Sequence, residues 1–229
     1  MQVIAQIKEV RCGRAKDFAR GSRSAIEKSP QRGAVAVGEL GLAGDEVGDT
    51  TVHGGIDKAL HCYAFEHYAY WQSILPKTAV PLQAGAFGEN LSLIGLTEGQ
   101  VCIGDIWRMG SAECVVSQGR QPCWKLNERF AVADMALRVQ ESLRCGWYLR
   151  VRQTGALQAG DQVYLLERPY PEWSIERILA IIHQGVCDAA LLQSLLDLPL
   201  PPSWQRLFSR RLQTGAVEDW QPRLFGKTV

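Results

Sequence analysis

Although this chain of 229 residues has seven cysteines, no two of them form a Cys-x-x-Cys pair. The missing spacing argues against a zinc finger or ribbon, and the odd count argues against a secreted disulfide framework, so reduced thiols are expected. Charge of one sign is not in excess either: 25 Lys and Arg face 24 Asp and Glu, a formal charge of +1. Such a chain has no global field to draw it to nucleic acid or an anionic membrane, and any basic site must be local. Nowhere do about 18 apolar residues run together, and residues 1–10 alternate like a strand, with Lys8 and Glu9 inside, unlike a signal peptide. A soluble, cytoplasmic protein is expected. The chain also has no Gly-x-Gly-x-x-Gly fingerprint and no clustered cysteines, so neither a dinucleotide site nor an iron–sulfur centre is expected.

Up to residue 168 the chain does contain short apolar stretches punctuated by glycine. Residues 2–10, 33–38, 58–65, 105–109, 112–117, 146–153 and 162–167 read as strands. Helical spacing appears at 67–75 and 132–143. Strands this short and numerous, with few helices between them, do not suit βαβ repeats and predict a mainly β fold, a closed or nearly closed β-barrel with a few inserted helices. Gly-Asp pairs at 44–45, 104–105 and 160–161 read as structural turns. The texture changes at Arg168-Pro169-Tyr170-Pro171, which reads as a linker. A small three-helix domain over 172–212 is expected beyond it, with Ser174 and Asp188 as N-caps, Gly185 ending the first helix and Pro201-Pro202 opening the third. Residues 213–229 read as a tail that buries Trp220, Leu224 and Phe225 along the surface. Three short helices raise the thought of a nucleic-acid module, but residues 172–211 carry Glu172, Glu176, Asp188 and Asp197 against Arg177, Arg206, Arg210 and Arg211, with no basic excess.

One cysteine stands apart. Cys123 lies in the run Gln118-x-Arg120-x-Pro122-Cys123-x-Lys125, with two cations within three residues and a proline stiffening its approach. That setting favours a thiolate, hence a metal ligand or nucleophile. Cys12, Cys62, Cys102, Cys114, Cys145 and Cys187 lack the basic flank and read as small hydrophobes. Three other features stand out. His53-Gly54-Gly55-Ile56-Asp57-Lys58-Ala59, after Gly41-Leu42-Ala43-Gly44-Asp45, pairs glycines with His and Lys so that backbone N–H groups can approach an anion. Gly85-Ala86-Phe87-Gly88-Glu89-Asn90-Leu91 is a second glycine-rich stretch, and Asn127 follows Lys125 by two. Each alone could be a turn. His61 and His67, six apart, read as structural, and Glu89 reads equally as a proton donor or a backbone clamp.

In this order and at these separations, the runs resemble the MOSC family, named for the C-terminal domain of molybdenum cofactor sulfurases. The three helices after the barrel are similar to its YiiM-like bacterial subgroup. The resemblance implies a barrel that binds the molybdenum cofactor, with Cys123 as the catalytic thiolate ligand to the metal. It further implies that His53, Gly54, Gly55 and Lys58 hold the phosphate or pterin edge, that Arg120 and Lys125 offset its charge, and that Asn90 and Asn127 orient it by hydrogen bonds. The activity implied is reduction of N-hydroxylated compounds, purine-like bases among them, as a detoxification. Tyr63, Phe87 and Trp124 are aromatic residues that could stack on such a ring or simply pack in the core. Electrons would come from a separate flavoprotein or iron–sulfur protein, with the three-helix domain as its landing surface. The alternative is a cofactor carrier, or a sulfur-transfer protein using a persulfide on Cys123.

Overall fold

The protein is described here by a computed structural model covering residues 1–50, 53–75 and 77–226. Seven strands form its frame: β1 Gln2–Cys12, β2 Leu60–Ala64, β3 Leu91–Ile94, β4 Ile106–Met109, β5 Ala112–Gly119, β6 Trp147–Gln153 and β7 Gln162–Glu167. Neighbours run β7-β4-β5-β6-β2-β3-β1, and β1 pairs back onto β7, which closes the barrel. Every pairing is antiparallel except β2 with β3. The long β1 serves both sides of the closure. Its first half pairs with β7 through Gln2–Gln6 and its second half with β3 through Gln6–Val10, with register shifts after Val3 and Ile7. Bulges of this kind bend a strand, which lets a single strand turn the corner of a barrel.

The core is rich in aromatic side chains. Trp107 and Trp147, both fully buried, meet edge to face at 6.1 Å, and Tyr63 stacks on Phe87 at 4.5 Å. Helix α1 (His67–Ile74) covers one flank through Tyr68 and Trp71. Two helices follow β5: α2 (Lys125–Phe130) and α3 (Met135–Ser142). The helix expected over 132–143 is α3, while α2, which ends at the left-handed Ala131 (φ 53°), was not expected. Strand β3 was also not expected; only its first residue, Leu91, belongs to the Gly85–Leu91 run.

Helices α4 (Ile175–His183), α5 (Ala189–Leu196) and α6 (Pro202–Thr214) follow, with a last turn of helix, α7 (Gln221–Phe225), in the tail. Ser174 accepts from the Arg177 amide and Asp188 from the Leu191 amide, as N-caps do. The expected linker is firmly docked: Arg168 grips the fully buried Asp105 carboxylate with two hydrogen bonds of 2.9 and 2.7 Å. Helix α4 lies directly on β5. A Cβ at Gly119 would sit 2.9 Å from the Leu179 side chain, so the small residue permits the close approach. Barrel and helices thus share one continuous hydrophobic core. Among the described residues, no helix is long and apolar enough to cross a membrane.

Candidate functional site

One end of the barrel opens into a cavity of ≈ 330 Å³. Strands β2 and β6 supply its floor. Their register sets Tyr148 opposite His61, and the two rings meet at 5.0 Å. Three regions form the walls: residues 45–50 with 53–58, the turn Phe87-Gly88 with Asn90, and the segment from Arg120 to Lys125.

The first loop is fastened from behind. Asp57 pairs with Arg150 on β6, and the Asp57 carbonyl accepts from Ser117 at 2.6 Å, so the loop rides on the barrel. Gly55 takes φ 101° with open space around its Cα, a conformation that side-chain-bearing residues avoid. His53 and Lys58, at either end, both line the cavity.

The Cys123 segment leaves β5 and runs into α2. The Cys123 sulfur lies 3.5 Å from His53 Nε2, which joins two runs 70 residues apart in sequence. The His53 ring has its pKa pushed down to about 4, first by burial, then by the charges of Lys125 and Lys58, with Arg120 adding to them. It is therefore neutral near pH 7 and can accept or donate one hydrogen bond, according to tautomer. Burial also lowers the Lys58 pKa, against the opposing pull of Asp57 and Cys123. Arg120 is buried, and one of its terminal nitrogens, Nη1, has no hydrogen-bond partner among the described residues. Lys125 donates to the Arg23 carbonyl at 2.7 Å and still lines the cavity. Across from these, Lys28 and Asp45 form a buried ion pair, while Lys58 of the first loop and Arg120 and Lys125 of the Cys123 segment are the other cations of the lining.

Not every residue singled out in the sequence points into the cavity. Asn127 does not: its Nδ2 donates to the Leu224 carbonyl at 2.8 Å and its Oδ1 accepts from the Ala136 amide at 2.7 Å, which makes it a buried brace between α2, α3 and the tail. Asn90 borders the cavity, but its carboxamide accepts from the His61 amide and donates to Arg11 and Asp45. Asn127 lies outside the cavity lining, which corrects the expectation that it orients a ligand, while Asn90 lines the cavity with its Nδ2 donors engaged by Arg11 and Asp45. Glu89 is the backbone clamp, fully buried, with one oxygen taking Gly85 N–H and the hydroxyls of Tyr68 and Ser92. Of the aromatics, Tyr63 is core and Trp124 packs against Arg20; only Phe87 borders the cavity. His67 binds Glu98 at 2.6 Å and is structural, as expected. His61, expected to be structural, lies in the floor with Nε2 unpartnered. Tyr148 was missed, although it alternates with the core residues Trp147 and Leu149 and so had to face the other way.

A barrel of this topology, with a Cys-His pair in a cation-lined mouth, defines a class: the chain belongs to the MOSC domain family, which it matches over residues 49–164. Residues 173–215 match the YiiM-like, 3-alpha helix domain, which places the chain in the YiiM-like branch. Protein YiiM of Escherichia coli (strain K12) is 39% identical over 220 residues, 96% of this chain and 98% of that protein. A protein of Gibberella moniliformis named Reductase is 36% identical over 210 residues, 90% of this chain and 37% of its own length. The crystal structure of YiiM from Escherichia coli superposes with a TM-score of 0.81 at 33% identity, covering 99% of this chain and all (100%) of that one. That of YiiM from Geobacillus stearothermophilus gives 0.78 at 36% identity, covering 91% and 99%.

One consequence is directly measurable. Under the cofactor-binding reading proposed below, Arg120→Ala should lower molybdenum retained per chain several-fold, about 3- to 10-fold, because it removes a buried cation from the cavity, whereas Arg206→Ala at an exposed position of α6 should not. Lys58→Ala should follow Arg120→Ala, since its loop faces the same cavity. Metal analysis after purification, beside thermal midpoints, checks all three; equal retention in Arg120→Ala and Arg206→Ala would count against a site here.

Proposed function

We propose that this protein is a molybdenum cofactor-dependent reductase of N-hydroxylated compounds, planar purine-like bases included. The observation that carries the reading is the Cys123 thiol in the wall of a cavity lined by Lys58, Arg120 and Lys125. MOSC domains are associated with molybdenum cofactor binding, and a relative named Reductase supports an enzymatic role. The residues present fit such a group. A soft thiolate suits molybdenum, the cations suit an anionic pterin phosphate, and the unpartnered Arg120 Nη1 is a buried donor in want of an acceptor. Among the described residues no three His, Cys, Asp or Glu converge, so a metal here has to bring most of its own ligands.

In this reading Cys123 holds the metal, Arg120 and Lys125 offset negative charge beside it, and Lys58 with the Gly54-Gly55 backbone anchors the phosphate. His61 and Tyr148 form a floor on which a flat ring can rest. When bound, the cofactor supplies two-electron exchange at the nitrogen–oxygen bond. The balance is one N–OH group, two electrons and two protons giving an N–H group and water. The electrons come from a separate redox protein, docking weakly enough that co-purification is not required.

The test supplies an N-hydroxylated base to loaded protein with NADPH alone, with NADPH and a candidate flavoprotein, and with reduced viologen, following amine formation. Turnover with viologen and with the flavoprotein, and none with NADPH alone, is expected. No amine with viologen from molybdenum-replete protein would overturn the reductase reading in favour of a cofactor carrier or persulfide donor. Turnover with NADPH alone from a contaminant-free preparation would reveal a nicotinamide site.

A further inference from the structure

The two peptide groups that flank Cys123 are tied to a single residue of the tail. Arg223 Nη1 donates to the Pro122 carbonyl at 2.5 Å, and the Arg223 carbonyl accepts from the Trp124 amide at 2.8 Å. One residue, 100 positions away in sequence, thus pinches the chain immediately before and immediately after the thiol. Its remaining nitrogen, Nη2, donates to Gln140 Oε1 on α3 at 2.6 Å, which holds the guanidinium against the barrel. Gln140 Nε2 in turn meets His183 Nδ1 on α4 at 3.3 Å, and His183 packs on Trp220 just before α7. Neighbouring contacts reinforce the tie: Leu224 accepts from Asn127, and Arg20 donates to the Phe225 carbonyl at 2.6 Å while its guanidinium lies over Trp124. Among the described residues the Cys123 segment has no strand partner; Arg120 donates the last barrel-type amide bond, to Gly146. Beyond it, the tail takes the place of a neighbouring strand.

We infer that Arg223 is a positioning residue for the Cys123 thiol, and that the tail beyond the three helices is a structural part of the site. The inference rests on the reading of Cys123 as the site's thiol. It also changes what the three helices are for: they return the tail to the barrel mouth rather than simply offering a surface to an electron donor. Removing residues 172–229, a natural way to test such a landing surface, would release the thiol segment and strip the cover from β5. It cannot separate docking from positioning.

The test compares Arg223→Ala, Arg223→Lys and Leu192→Ala, the last a core truncation in α5 that loosens the helices without touching the tail's contacts. In cofactor-free protein, hydrogen exchange over residues 120–127 and the rate of Cys123 alkylation by iodoacetamide are followed. The alkylation plateau at high pH, where the thiol is ionised in every variant, reports access alone. Arg223→Ala removes the side-chain ties but keeps the carbonyl that binds Trp124, so it should raise that plateau about tenfold and lower protection of the Trp124 amide as the tail loosens; Arg223→Lys should recover part of both through one hydrogen bond, and Leu192→Ala should change neither at matched thermal midpoint. In loaded protein, kcat should fall by about 10- to 100-fold with KM little changed, the mark of a misplaced reacting group. Equal exposure of the thiol in Arg223→Ala and Leu192→Ala, or wild-type exposure in Arg223→Ala, would overturn the positioning role. Because the alkylation and exchange arms need no turnover, they decide it even if the reductase assay fails.

Discussion

Serine in place of Cys123 is expected to leave the fold intact and to remove molybdenum-linked reduction, lowering turnover by about 100-fold or more. The two side chains are close in size, and Cys123 is only partly buried, so the exchange costs little packing. A hydroxyl, however, is a far poorer ligand for a soft centre. The comparison that gives the experiment its force is with the buried thiols. Cys62 and Cys145 are fully enclosed, and burial pushes both thiols up, Cys62 well above its ordinary value. Neither faces the cavity. Cys62→Ser buries a hydroxyl in apolar surroundings and should cost about 1–3 kcal/mol, while Cys145→Ser retains the Val139 carbonyl that its sulfur already contacts at 3.3 Å and should cost less. Both should turn over at nearly the wild-type rate. Amine formation and urea midpoints measured side by side separate ligand from core, and a Cys123→Ser protein with wild-type activity would end the assignment.

The largest loss of stability is expected from Arg211→Ala. Arg211 on α6 is 1% exposed, grips Glu218 with two bonds of 2.8 Å, and donates to the carbonyls of Ile181, Ile182 and Val186 at the end of α4. Its loss removes both guanidinium bonds from the Glu218 carboxylate, which keeps its bond from Trp220, and one bond from each of the carbonyls, and breaking a buried pair in this way costs about 3–5 kcal/mol. A fall of that size in urea unfolding is expected. Loss below about 1 kcal/mol would mean that Glu218 and the carbonyls find water instead. Arg211→Met, which preserves volume but not charge, should be only slightly better, because the stranded acceptors are the same.

The same arginine shows what the sequence could not convey. In the sequence it is one of four cations balancing four acids across residues 172–211, indistinguishable from Arg206 and Arg210. Burial of a charge depends on partners brought from elsewhere, and these come from α4 and from Glu218 in the tail. The features that could be read were local ones: alternation in the barrel strands, caps at Ser174 and Asp188, and basic residues around a thiol. Helix α2 escaped because six residues give too short a period to detect, and Asn127 on it was misjudged for the same reason. Strand β3 escaped because it pairs in parallel with β2 across some thirty residues, and no local turn announces such a partner. The proximity of His53 to Cys123 was legible only through the resemblance. No spacing rule joins two loops that stand 70 residues apart in sequence.

The closure of β1 onto β7 has a bearing on how the protein is made in the cell. Residues 2–6 are synthesised some 160 residues before their partners at 162–165, which emerge only after most of the barrel strands. Until then β1 has an open edge, and a fold dominated by such distant pairings gathers slowly. The clamp on the thiol segment comes later still, when residues 223–225 appear. A nascent chain therefore carries β1 without its β7 partner for some 160 residues, and Cys123 without its clamp for the 100 residues that follow it. The pocket wall that holds the thiol can be completed only once residue 223 has been made.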